Sequence, residues 1–333
     1  MDVASGDLPI GERLNGVVDY LQRNSTRALN VCGQTDVLDR WLHCLAPSIR
    51  DRVELTAASQ VIDMDDGPVV AMRRKPDSSM RMALQLVATG QASACVSAGN
   101  TGALMGLSRH LLKTLPGIDR PAICSQFPSI SGRTHALDMG ANVSATAEQL
   151  LQFAIMGEAV AATVGNVRRP RIGLLNVGVE AGKGNDSVRK AASLLKDSPL
   201  DYIGFVEGND LYTGKVDVLV CDGFTGNVAL KASEGVARFV RLRLQENFST
   251  SLRTRLQGWI AGNVVRKVGE AFDPRRFNGA SLVGLRGVVV KSHGNSDGRA
   301  FSNAIGAAAA EVDNGVLNKI RLRIPRAAIG DSA

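Results

Sequence analysis

Aromatic side chains are scarce in this chain: two tryptophans, three tyrosines and nine phenylalanines among 333 residues, 4% in all. A protein that reads nucleic acid by stacking bases needs more of them, and no RNA- or DNA-binding motif stands in their place. The five cysteines, Cys32, Cys44, Cys95, Cys124 and Cys221, are an odd set without a CxxC pair. That excludes a zinc knuckle or a disulfide framework and suits a reducing cytosol. No apolar run reaches the ~18 residues of a membrane span, and the start carries no secretory pattern. HExxH is missing, and no Ser-His-Asp or Cys-His arrangement is readable. No metal site and no cofactor are expected.

Glycine, by contrast, is plentiful, at 35 residues, and 44% of the chain is hydrophobic. That combination suits a compact α/β enzyme with many tight strand-to-helix turns. Strand-like runs at 28–33, 94–99, 134–140, 171–178, 216–223 and 286–294 each end in or near glycine and are followed by helix-like sequence. The alternation predicts a Rossmann-like, mostly parallel sheet with helices on both faces. Ligands of such sheets bind at the carboxyl ends of the strands. The loops at 99–102, 139–146, 178–186, 222–227 and 292–298 are therefore expected to share one rim. Residues 1–333 read as a single domain, with 234–280 as a helical insertion. The net charge of +7, without a nucleic-acid motif, points to phosphate, an acidic carrier protein or anionic lipid.

Several loops carry candidate chemistry. In "VSAGNTG", Ser97, Gly99, Asn100, Thr101 and Gly102 lead from a strand into a helix, where unpaired N–H groups and a positive dipole end favour an anion. The ordinary reading is a turn with Thr101 as helix cap. "CDGFTGN" repeats the arrangement with Asp222, Gly226 and Asn227, the last either a cap or a ligand donor. In "NVGVEAGKGND", Lys183 lies between Gly182 and Gly184, though without the Walker spacing. A compact cation there suits phosphate; the plainer reading is a solvated loop lysine. "KSHGNSDGRAF" puts His293 at a strand end near Lys291 and Arg299, while Asp138 and Asn142 of "LDMGANV" either bind ligand or tie loops together. Within 251–268, Leu256, Trp259 and Ile260 form the apolar side of a basic amphipathic helix. It fits a dimer bundle or a membrane interface.

Taken together, "DMDDGPVVAMRRKPDSSMRMAL", "VSAGNTGALMGL", "LDMGANV", "LQFAIMG", "LLNVG", "EGND", "DVLVCDGFTGNVALK", "GLRGVVVKSHG" and "RAF" resemble, in order and over nearly the whole chain, the phosphate acyltransferases of bacterial phospholipid synthesis (the PlsX family). The resemblance implies a homodimeric enzyme with an isocitrate/isopropylmalate dehydrogenase-like fold. It would form acyl phosphate from acyl-acyl carrier protein and inorganic phosphate, for use by a membrane glycerol-3-phosphate acyltransferase. The implied location is cytoplasmic, peripheral at the inner face of the cell membrane. Lys183, Asn227 and His293 are the expected catalytic residues. Asp7, Ser97, Gly99, Asn100, Thr101, Gly102, Asn142, Gly184, Asp222 and Gly226 are expected to bind phosphate or substrate, and Leu256, Trp259 and Ile260 to meet the membrane. At the start, "MDVASGD" keeps Asp2, Gly6 and Asp7 of the family's opening loop but has Ala4 and Ser5 for its Met-Gly, and most of a first strand is absent. That puts the Asp2–Asp7 loop in question. The rival readings are a phosphotransacetylase acting on acyl-CoA, a metal- and NAD-dependent decarboxylating dehydrogenase, and a non-catalytic membrane-surface scaffold.

Overall fold

A computed structural model describes residues 1–249 and 273–324. Its strands are β1 (Leu29–Gly33), β2 (Val53–Ala57), β3 (Ala94–Ser97), β4 (Ala122–Ser129), β5 (Gly132–Leu137), β6 (Arg171–Leu175), β7 (Asp201–Val206), β8 (Val218–Val220), β9 (Ala280–Val283) and β10 (Val288–Lys291). The helices are α1 (Ile10–Arg23), α2 (Thr35–His43), α3 (Pro47–Arg50), α4 (Pro68–Arg74), α5 (Ser79–Ala88), α6 (Thr101–Leu112), α7 (Ala147–Thr163), α8 (Asp186–Lys196), α9 (Asp210–Thr213), α10 (Gly223–Ser249), α11 (Gly298–Asp313) and α12 (Val316–Arg323). Local chemistry accounts for several boundaries. α6 buries Leu104, Leu107 and Leu112 on one side and begins at Asn100, whose side chain accepts from the Ala103 N–H. α7 opens on a capping box between Thr146 and Gln149.

The order β3-β10-β9-β4-β5-β8-β6-β7 forms an eight-stranded sheet, and β1 and β2 pair in parallel. Asp2 links the two, bridging Cys32 of β1 and Ser97 of β3. Residues 1–3 thus lie between β1 and β3, with Val3 fully buried. β10 runs parallel to β3, and β5, β8, β6 and β7 run parallel to one another. Between these groups, β9 is antiparallel to both β10 and β4, and β4 is antiparallel to β5. The first group therefore points opposite to the second. The first part of β4 (122–124) pairs with β9 and the second part (125–129) with β5.

This corrects the expectation of one shared rim. The loops after β3 and β10 leave strands of one direction, and those after β5, β6 and β8 leave strands of the other. The sheet has helices on both faces, as expected. One buried cluster packs α1 and α11 over β1, β3 and β10, and another packs α7 and α8 over β6 and β8. A third crosses the divide, joining Leu104 and Leu107 of α6 to Phe127, Ala136 and Leu219. Of the expected helical insertion, α10 is described as far as Ser249, and β9 takes over at Ala280. Leu256, Trp259 and Ile260 lie outside the described residues.

Candidate active site

At the end of β3, the Asp2 carboxylate is fully buried and accepts from Ser79 Oγ (2.7 Å) and Ser97 Oγ (2.6 Å). Beside it, the buried Arg13 guanidinium donates to the carbonyls of Val3, Leu8 and Ala4 and so shapes the 3–8 loop from within. Burial draws the Arg13 pKa down, with Asp2 and Asp7 opposing. The Asp7 N–H donates to the Gly294 carbonyl at 3.0 Å, joining this loop to the segment after β10. Gly294 has no room for a side chain, because a Cβ would run into the Asp7 carboxylate.

Asn100 is committed at both ends: its Oδ1 caps α6, and its Nδ2 donates to the Met64 carbonyl at 2.5 Å. Asn100, not Thr101, is the cap. Ser97 is likewise engaged, donating to Asp2 and accepting from the Gly99 N–H. The glycine turn at 99–102 is thus held firmly through the Asn100 side chain.

Lys291 closes this end of the site. Its Nζ donates to the carbonyls of Ala98 (3.0 Å) and Ser292 (2.8 Å), clamping β10 to the turn after β3. Burial lowers its pKa to about 8, against the pull of Asp7 and Asp2. His293 follows, exposed, with Nδ1 accepting from the Asn295 N–H and Nε2 at 4.0 Å from Glu234 Oε1. Desolvation lowers its pKa, and Glu234 opposes that.

At the opposite end, the Asp138 carboxylate accepts from the N–H groups of Ile123, Ala141 and Asn142 and from Asn142 Nδ2. Burial still pushes its pKa up, with those hydrogen bonds opposing. Asn142 also donates to the Pro121 carbonyl. Of the two readings of Asp138 and Asn142, the geometry shows loop tying. The first turn of α10 is pressed onto this loop. The Gly223 N–H donates to the Asn142 carbonyl at 2.7 Å, and a Cβ on Gly226 would collide with the Asp138 carbonyl. Asp222 accepts from the backbone N–H and hydroxyl of Thr225. Asn227 is exposed and stands against Gly140.

Lys183 is exposed on the loop after β6, at the same sheet end as Asn227. Its backbone N–H donates to the Glu180 carbonyl, and its stem lies over Gly178. Gly184 turns with φ +91° against Asn176. Among the described residues, Lys183 has no acidic partner.

What unites the two ends is α10. Asn227, Lys231 and Glu234 recur at i, i+4 and i+7, so they share one face over about 10 Å. Asn227 sits at the Asp138 loop. Glu234 pairs with Lys231 at 2.9 Å and reaches His293. The helix that starts at one rim therefore delivers the Lys231–Glu234 pair to the other, where Glu234 stands 4.0 Å from His293. There the like charge of Lys231 adds slightly to the lowering of the Lys291 and His293 pKa values by burial. Sequence reasoning placed neither Lys231 nor Lys291 in the site. The available signals were a lysine ending an apolar strand and a lysine one helical turn from Asn227. Among the described residues, no cluster of His, Cys, Asp and Glu suits a metal ion.

A family profile described as fatty acid synthesis protein matches residues 1–319. The chain is 48% identical over 324 residues to a phosphate acyltransferase of Methylococcus capsulatus, covering 97% of this chain and 96% of that one. A phosphate acyltransferase of Alkalilimnicola ehrlichii is 51% identical over 304 residues, covering 91% and 89%. In fold, the chain is similar to a phosphotransacetylase from Streptococcus pyogenes (TM-score 0.61, 17% identity, covering 91% of each chain). It is also similar to a branched-chain phosphotransacylase from Enterococcus faecalis V583 (TM-score 0.59, 15% identity, covering 93% of this chain and 98% of that one).

Proposed function

The chain belongs to the fatty acid synthesis protein family and is an acyltransferase of its phosphate acyltransferase kind; on that premise we propose that acyl transfer takes place between the two rims joined by α10. Its substrates are a fatty acyl-acyl carrier protein and inorganic phosphate, and its product is the acyl phosphate used in phospholipid synthesis. The observation that carries the placement is the common face of α10, which aligns Asn227 with Lys231 and ends at His293 and Lys291.

Hydrogen phosphate is a competent nucleophile near neutral pH, and a thiolate leaves readily because thiols have pKa ~8.5. A phosphate oxygen adds to the thioester carbon, the tetrahedral intermediate collapses, the C–S bond breaks and the departing thiolate takes up a proton. Such a path needs no conventional triad. It needs an anion cradle, cations for the phosphate and a donor where negative oxygen develops. Lys183 holds the phosphate with Gly184, and Asn227 or a nearby backbone N–H polarises the carbonyl. Lys231, Lys291 and His293 supply positive or polar groups from the facing rim, and Asp7, Asp222 and Gly226 shape the pocket.

Phosphate-dependent formation of acyl phosphate by the purified protein, with release of carrier thiol and none from acetyl-CoA, tests the reading. Lys183→Ala should raise the phosphate KM and lower kcat by about 10²-fold together. Retention of both values by the variant removes Lys183 from the mechanism.

Two further parts of the reading rest on α10. Val236 and Phe239 are exposed, at 63% and 60%, with Val240 and Leu242 beside them. A helix with such residues is covered when a second copy packs on it, which supports a homodimer formed through 234–280. Contact of Leu256, Trp259 and Ile260 with an anionic membrane surface, near the acyltransferase that uses the product, rests on the sequence alone. No described helix is long and apolar enough to cross a membrane.

A further inference from the structure

A cavity of 520 Å³ opens between α4 and α6, away from the rims joined by α10, lined by Met72, Gly106, Arg109, His110, Lys113 and Thr114. Its floor is bare because Gly106 faces Pro68 and Met72 of α4 without a side chain. Its mouth is basic. Arg109, His110 and Lys113 are exposed, and Arg286 reaches in to donate to the Thr114 carbonyl. The last turn of α4 adds Arg73 and Arg74. None of Arg73, Arg74, Arg109, Lys113 and Arg286 has an acidic partner among the described residues, whereas Lys75 close by is held by Asp63 and Asp66. Lys113 is also out of the ordinary in its backbone. It ends α6 with φ +61°, a conformation that usually selects glycine. The turn presents the Lys113 carbonyl to the Arg286 N–H at 3.1 Å and so sets both basic residues side by side at the mouth.

We propose that this groove is the docking site of the acidic carrier protein that brings the acyl thioester, with Arg109, Lys113 and Arg286 meeting its acidic face. The proposal rests on the acyl-carrier reading of the function and adds the place of contact. Charge complementarity selects the occupant, because unpaired guanidinium and ammonium groups around an open groove attract an acidic protein and speed its encounter. Position sets the reach. The groove floor at Gly106 is about 6 Å along α6 from Gly102, while Arg109 and Lys113 lie about 14 and 20 Å from the Asn100 turn, toward the end of α6 that meets Arg286 just before β10. A carrier seated at the basic mouth therefore presents its acyl thioester across roughly 14–20 Å to the rim that contains Lys291.

Steady-state kinetics with acyl-carrier protein test this. The double variant Arg109→Glu/Lys113→Glu should raise the carrier KM about tenfold or more and flatten its salt dependence, with kcat and the phosphate KM held within about twofold. Gly106→Leu, which fills the floor while its Cβ stays 3.4 Å from Pro68, should raise the carrier KM in the same way. A matched reversal on α3, Arg50→Glu, should leave the carrier KM unchanged. If the double variant keeps the wild-type carrier KM, or if Arg50→Glu raises it equally, the docking site is wrong while the enzyme reading stands. If wild-type protein makes no acyl phosphate from acyl-carrier protein, both fall.

Discussion

Lys291 shows how much a single side chain contributes here. Its ammonium spans two carbonyls at the ends of β3 and β10, and burial sets its pKa at about 8. The group is charged below that pH and neutral above it. If the ammonium helps hold phosphate, kcat/KM for phosphate declines above pH 8, and Lys291→Arg, charged throughout, abolishes that decline. A pH-rate series on the two proteins measures it. Glu311 on α11 makes the complementary case for stability. It is buried with one hydrogen bond, from Ser281, and its pKa is raised to about 7. The folded state holds this proton where the unfolded chain has lost it, so stability falls as pH rises from about 4.5 to 7 and levels off above. Glu311→Gln should match wild type near pH 4.5 and exceed it at pH 8 by on the order of 2–3 kcal/mol, read from denaturant or thermal unfolding. The cysteines divide cleanly. Cys44 is exposed and the other four are buried, with burial pushing Cys95 up to about 12. A thiol reagent should modify Cys44 alone in the native protein and all five after unfolding.

Among the elements, α10 gives the site its coherence, and its seating depends on a glycine. A side chain at Gly226 would meet the Asp138 carbonyl, so Gly226→Ala must displace either the Asp138 loop or the helix. The expected cost is about 1–3 kcal/mol, together with a loss of activity larger than the loss of folded protein. Thermal unfolding beside specific activity separates the two. This level also shows what the residues alone disclose. β1, β3, β5, β6, β8 and β10 were legible because short Val/Ile/Leu-rich runs end at glycine. β4 was not, since "AICSQFPS" mixes polar residues with Pro128 and serves two different partners along its length. β9 is four residues following a basic helix-like stretch, and no local pattern reveals that it runs against its neighbours. Strand direction decides which loops meet. For that reason the glycine turns were found one by one, while their grouping into two facing rims was not. Lys231 escaped notice for a similar reason, since its link to His293 through Glu234 follows from where a helix passes. Asn100, Ser97 and Asn142 have the residue types of a binding site, and the hydrogen bonds they make to the scaffold follow from which loops meet, which no local pattern discloses.

For the molecule as a whole, the exposed apolar residues of α10 set the expectation of self-association. Phe239→Glu should convert a dimer to monomer in sedimentation equilibrium, and a wild-type protein that sediments as a monomer would remove the proposed interface. The same scale explains the arrangement of the core. One buried cluster runs under both strand groups, so the two rims are held by a shared interior.

The seating of β9 and β10 between β3 and β4 has a consequence for how the chain comes into being. During vectorial synthesis the amino-terminal third emerges early, yet two ribbons at the middle of its sheet are encoded after residue 279. Until they leave the ribosome, β3 and β4 present unsatisfied backbone to any neighbour able to pair with it. Closure of that gap waits until residues 280–291 have been translated, so nascent chains that stop short of them should depend on chaperones.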